Sequence, residues 1–96
     1  MSRSKSMAVT DNTALHRFEF EENGLTAFAT YHRNGLHVVI PHVEAPLALR
    51  GTGTASRLME GIVARARAEG FKITPTCSYA YGWFRRHRDA ADVLLA

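Results

Sequence analysis

Two glycines beside a cation, in Arg50-Gly51-Thr52-Gly53-Thr54-Ala55, make a stretch with the chemistry of an anion site. Glycine lets the backbone turn sharply and approach a ligand closely. A helix beginning here would present its first amides outward, without partners inside the helix. With the positive end of the helix dipole behind them, such amides favour phosphate oxygens. An ordinary strand-to-helix turn has the same composition, so the neighbouring residues must decide between the two.

Other reactive side chains lie on either side. Cys77 is the only cysteine, and it precedes a helical pattern whose free amides favour a thiolate. His42 and Glu44 are candidate proton acceptors, a histidine and a carboxylate one residue apart. A lone cysteine can equally be a small buried apolar group. His16, His32 and His37 have no spacing that suggests a triad or a metal site, and one cysteine cannot make a zinc site or an internal disulfide. No metal is expected. Walker-type phosphate binding is excluded because no Gly-Lys-Ser or Gly-Lys-Thr follows the turn. A dinucleotide fingerprint fails at its third glycine, where the chain has Ser56.

The 96 residues carry a net charge of +3 and are 46% hydrophobic, which suits one domain with a modest core. Basic residues concentrate between Arg50 and Arg88, where only Glu60 and Glu69 oppose them. That half fits a small polyanion or nucleic acid, or simply a solvated helix face. The apolar runs fall short of the roughly 20 residues that span a bilayer, and the first residues lack a secretory signal's apolar centre. A soluble, cytoplasmic protein is expected.

The elements that must position these residues follow from periodicity. Residues 1–14 read as a mobile tail and residues 15–96 as the domain. Phe18 and Phe20 alternate with charged residues, and Leu25, Ala27, Ala29 and Tyr31 alternate with Thr26, Phe28, Thr30 and His32. Both are the two-residue period of strands. Asn23-Gly24 and Asn34-Gly35 are hairpin turn pairs, so three antiparallel strands are expected in succession. The third, Leu36 to Val43, has a continuous apolar run at Val38–Ile40 and is expected to be central and covered on both faces. Pro41 requires a bulge or a pairing interruption, expected near His42 to Glu44. After the glycine turn, Ala55, Leu58, Met59, Ile62, Val63 and Ala66 form a helical stripe, with Arg57 facing water and Gly70 ending the helix. Phe71 to Thr74 is a strand that pairs in parallel through a right-handed crossover. A second helix, capped by Ser78, places Ala80, Trp83, Phe84 and His87 on one face, and residues 90–96 are expected to dock weakly or fray.

The pattern Arg50-x-x-Gly53-x-Ala55, after a strand and opening a helix, resembles the Arg/Gln-x-x-Gly-x-Gly/Ala signature of the GNAT superfamily of acyl-CoA-dependent N-acyltransferases. His42-Val-Glu-Ala-Pro46 before it, Pro75-Thr-Cys-Ser-Tyr79 after it and the later Arg86-His87 pair extend the resemblance over most of the chain. They point to the small single-domain branch of the superfamily. The resemblance implies an α/β fold with a mixed sheet: three antiparallel hairpin strands, a strand-helix-strand crossover and a C-terminal helix. It implies acetyl-CoA as cosubstrate, with the pyrophosphate on Arg50, Gly51, Thr52, Gly53, Thr54 and Ala55, the pantetheine along Val43 and Glu44, and Arg86 near a CoA phosphate. The acetyl group would pass to a primary amine of unknown identity, protein or peptide among the options. His42 or Glu44 would serve as base, and Cys77, in the Pro-x-Cys context of that branch, as acyl acceptor or base. Tyr79 or Tyr81 would protonate the leaving thiolate. The alternatives are a CoA-binding or interaction domain without turnover and a nucleic-acid module built on Arg85, Arg86 and Arg88.

Overall fold

The computed structural model describes residues 9–95. Five strands form one sheet: β1 (Thr10–Asn12), β2 (Arg17–Glu22), β3 (Leu25–Asn34), β4 (His37–Glu44) and β5 (Lys72–Pro75), in spatial order β1-β2-β3-β4-β5. The first three pairings are antiparallel, and β4 and β5 are parallel. The crossover between β4 and β5 contains α1 (Thr54–Glu69), and α2 (Ser78–Arg86) follows β5. This is the α/β architecture expected from the sequence, with one added strand.

That added strand corrects the expected tail. Residues 1–8 lie outside the described residues, but Thr10–Asn12 pair with Arg17–Glu19 and Val9 is buried. The stretch lacks a visible period because three residues are too few to show one. Its attachment is specific: the buried Tyr31 donates its hydroxyl hydrogen to Asp11 Oδ1 at 2.5 Å.

Alternation decides which side chains meet. Phe18, Phe20, Ala27, Ala29, Val38, Ile40 and Ile73 share a core with Leu58, Met59, Ile62, Val63 and Ala66 of α1 and with Ala80, Trp83 and Phe84 of α2. β4 is central, as expected. Its second face, however, carries the half-buried Val39, and among the described residues no helix covers that side. The apolar run at Val38–Ile40 therefore marks the centre of the sheet without implying a second helical layer.

The two hairpin turns differ. Asn23 and Gly24 both have positive φ, at 54° and 75°, and occupy the central positions between Glu22 and Leu25. In the second, Asn34 pairs with His37, so Gly35 and Leu36 form the loop and only Gly35 has positive φ. The first has the backbone signature of a type I′ turn and the second that of II′.

The helix ends follow local chemistry. Gly53, at φ 89°, is the N-cap of α1, and Gly70, at φ 83°, closes it with its N–H on Ala66 O at 2.7 Å. The cap of α2 is Cys77, not Ser78: its sulfur accepts the Ala80 N–H at 3.3 Å. Of the two expectations for the C-terminal residues, docking holds within the described range. A 3₁₀ segment, Arg88–Val93, buries Ala90 and Val93, and Leu95 N–H bonds Ile73 O at 3.0 Å. Among the described residues no helix is long and apolar enough to cross a membrane.

Candidate acyl-transfer cleft

Parallel pairing of β4 and β5 runs from His37↔Lys72 to Ile40↔Pro75 and then stops. The Thr76 and Cys77 amides both reach the Ile40 carbonyl, at 3.0 and 3.4 Å, and the chain turns away into α2. β4 continues alone beside the opening.

A bulge orients that free segment. Thr30 pairs with His42 and His32 with Val39, so Ile40 and Pro41 together oppose Tyr31. The extra residue lies one or two positions earlier than expected, at the proline itself, where the interrupted ladder tolerates a missing N–H. Side chains alternate along a strand, so one inserted residue exchanges the faces beyond it. Val38 and Ile40 point into the core, and so does Val43, while His42 and Glu44 point to the uncovered face. The same alternation applies to the backbone. Tyr31 N–H bonds His16 O on the β2 side, so the main chains of Phe28 and Thr30 face β4 and pair with Glu44 and His42. The peptide groups of Val43 are thereby left facing the parted side.

A cleft of about 550 Å³ occupies this opening, lined among others by His42, Val43, Glu44, Arg50, Gly51, Gly53, Thr54 and Ala55. These eight are among the eleven candidates named from the sequence. Three candidates are not in the lining. Thr52 spends its N–H and hydroxyl on Leu49 O, at 3.3 and 2.6 Å. Cys77 is half-buried at the point where the strands part, two residues before Tyr79, which does line the cleft. Arg86 lies in the last turn of α2, close enough that its charge acts on the Tyr79 phenol.

At the mouth, His42 Nε2 lies 3.0 Å from Glu44 Oε1, with both side chains about half exposed, at 54% and 51%. The carboxylate can hold the ring and share a proton with it. Arg50 reaches the cleft and donates Nε–H to Ala45 O at 3.2 Å. At the opposite wall burial pushes the Tyr79 phenol up, Cys77 adds to the shift and Arg86 opposes it. Tyr79 therefore stays protonated, as a proton donor must. Tyr81 is 54% exposed and outside the lining.

The sequence reading missed Ser56 and Glu22. Ser56 is the third residue of α1, lines the cleft and accepts the Trp83 indole N–H at 2.9 Å. Glu22 ends β2 and grips Arg57 with two bonds, Nε to Oε2 at 2.6 Å and Nη2 to Oε1 at 2.9 Å. Only the position of Ser56 after the cap glycine offered a sequence signal. The Glu22 pair joins residues 35 positions apart, beyond any periodicity. Arg57 was expected to face water, yet it is engaged here, while Arg65 pairs with Glu69 and Arg67 with Asp92. Three cations of the basic half are thus matched by carboxylates, which reduces its free charge without involving Arg85, Arg86 or Arg88. Among the described residues no group of three His, Cys, Asp or Glu side chains could hold a metal ion.

The fold is similar to that of a GCN5-like protein from Staphylococcus aureus, whose solution structure was determined by NMR. It aligns with a TM-score of 0.65 and 23% identity, over 97% of this chain and 92% of that one. The GCN5-related N-acetyl-transferase family matches residues 17–93, and the chain belongs to that family. Acetyl transfer is the activity this membership supports. No protein of curated function matches the sequence.

Proposed function

We propose that the protein binds acetyl-CoA in the β4–β5 cleft and transfers the acetyl group to a primary amine. One observation carries the reading: the glycine turn, the freed Val43 backbone, the His42–Glu44 pair and Tyr79 all border one cleft.

The cleft suits such a ligand. By helix geometry the amides of Thr54, Ala55 and Ser56 have no partner within α1, and Gly53 sits in a left-handed conformation at the cap. These groups, with Arg50, would hold the pyrophosphate. The outward N–H and C=O of Val43 offer a strand edge to the pantetheine amides. Bound there, acetyl-CoA supplies an activated thioester whose C–S bond breaks as the amine nitrogen forms the C–N bond.

The chain's residues manage protons and charge. An ammonium must lose a proton before its nitrogen can attack. His42, steadied by Glu44, takes that proton in this reading, and the exposed carboxylate attracts the incoming cation. Tyr79 returns a proton to the departing thiolate. Among the described residues no helix walls the sheet face beside His42, which suits an amine carried on a protein or peptide.

A second reading assigns the acyl group to Cys77 before the amine arrives. It is favoured by the sulfur's place at the start of α2, within bonding distance of the Ala80 amide. Charge-stabilising amides at such a position suit a nucleophilic thiolate.

Intact mass, thermal shift and amine acetylation with acetyl-CoA test both, using wild type, Cys77→Ala and Gly53→Glu. Stabilisation of wild type that vanishes in Gly53→Glu supports the turn as the pyrophosphate site. A covalent acetyl adduct missing from Cys77→Ala supports the cysteine route, whereas full amine acetylation by that variant eliminates it. Absence of any acetyl-CoA response in wild type overturns the function proposed.

A further inference from the structure

We infer that Glu22 and Arg57 are positioning residues that aim the Gly53 amide into the cleft, an assignment that rests on the acetyl-CoA reading of that cleft.

The two residues stand behind the glycine turn, and neither lines the cleft. Besides its fork on Glu22, Arg57 donates Nη2–H to the Thr52 carbonyl at 3.0 Å. A trans peptide is planar, with its C=O and N–H pointing in opposite directions. A Thr52 carbonyl drawn back toward Arg57 therefore turns the Gly53 N–H the other way, to the side where Gly51, Gly53 and Thr54 meet the cleft. The direction of this amide is set by a bond made on the far side of its own peptide.

Other bonds lock the same arrangement. The fully buried Thr54 hydroxyl donates to Glu22 Oε1 at 2.5 Å. Thr52 and Thr54 hydroxyls lie 2.9 Å apart, and Thr52 also holds Leu49 O. Glu22 is itself fixed as the last residue of β2, at the rim of the Asn23-Gly24 hairpin. The strap thus refers the turn to the sheet instead of leaving it to the helix alone. A Cβ at Gly53 would come 2.9 Å from Arg57 Nη1, so the glycine leaves the room through which the guanidinium passes.

Charge gives the same division of labour. Arg57 is a cation one turn into α1, a place suited to a phosphate ligand, yet its charge is matched by Glu22. The pair shapes the site without adding net charge to it. Arg50, which does line the cleft, is left as the cationic contribution of the turn.

The test must separate aiming of an amide from a mere tie between hairpin and helix. Wild type, Arg57→Lys and Glu22→Gln are titrated by NMR with acetyl-CoA and with S-acetyl-pantetheine, which lacks the pyrophosphate. Lysine keeps the charge without the fork, and glutamine keeps the shape without the charge. In wild type the Gly53 amide resonance shifts on adding acetyl-CoA. In the variants that shift shrinks and the acetyl-CoA Kd rises on the order of tenfold, the loss expected for one charge-assisted hydrogen bond, while acetyl-pantetheine binds as before. Equal weakening toward both ligands, or unchanged acetyl-CoA affinity, overturns the assignment. Should Arg57→Lys fail to fold, Glu22→Gln decides by the same criteria. Wild type that binds neither ligand removes the acetyl-CoA reading itself, a result distinct from either variant outcome.

Discussion

The indole N–H of Trp83 donates to the Ser56 hydroxyl at 2.9 Å, joining the core of α2 to the first turn of α1 at the wall of the cleft. Trp83 is 2% exposed, so this donor has no ready replacement in water. Its ring also stacks on His87, with centroids 4.0 Å apart. The bond links two helices that the sequence presents only as separate amphipathic stripes.

Ser56→Ala leaves that buried N–H unpaired and should cost about 1–3 kcal/mol. For a domain of this size each kcal/mol lowers Tm by roughly 4–8 °C. Thermal denaturation checks the expectation. Trp83→Phe removes donor and acceptor demand together, so the pair Ser56→Ala/Trp83→Phe should be less destabilised than the sum of its single variants.

Gly53→Ala places a Cβ on a residue at φ 89° and 2.9 Å from Arg57 Nη1. The left-handed backbone alone costs about 1–2 kcal/mol for an L-residue. Chemical denaturation should show that loss. Gly24→Ala, at positive φ but with no atom within 4 Å of the added carbon, shares the backbone cost and should leave acetyl-CoA binding intact.

Glu22 has a carboxyl held down to about 2, first by its hydrogen bond to Arg57 and then by that to Thr54. A depressed folded-state value means that the contribution is complete above the usual 4.5 and fades as pH falls from there toward 2. The stability gap between wild type and Glu22→Gln should therefore close over that interval. A gap in Tm that stays constant with pH would contradict the ion-pair strap.

Tyr31 behaves oppositely. Burial, and then the Asp11 hydrogen bond, push its phenol up to about 12. Between the ordinary value of 10 and that value the unfolded chain sheds the proton more readily, so stability declines as pH rises. Tyr31→Phe should be less stable at neutral pH yet show a flatter alkaline transition, measured by denaturant midpoints.

Much of this architecture could be read from local pattern, because strand alternation and helical stripes record which side of an element is buried. The glycine turn, β2 to β5, α1 and α2 all carry such marks. Thr10–Asn12 carry none, being too short for a period and held by the Tyr31–Asp11 contact from a distant strand. The candidate site was legible where it is contiguous: His42 to Glu44 and Arg50 to Ala55 each bring neighbouring residues to one cleft. It was not legible where it depends on assembly. Glu22 reaches Arg57 only after β2 and α1 have packed, and the cap of α2 falls to Cys77 because the preceding amides are anchored on Ile40.

The bulge at Ile40–Pro41 makes strand phase, as distinct from residue type, the guardian of the mouth of the cleft. Many substitutions along β4 leave its faces where they are. Flattening the bulge with every residue kept would carry the imidazole and the carboxylate inward and send Val43 out to solvent, whereas deleting Pro41 leaves Ile40 opposite Tyr31, His42 opposite Thr30 and these side chains on their present faces. One unpaired residue thus sets which chemistry the strand presents, without changing a single side chain that performs it.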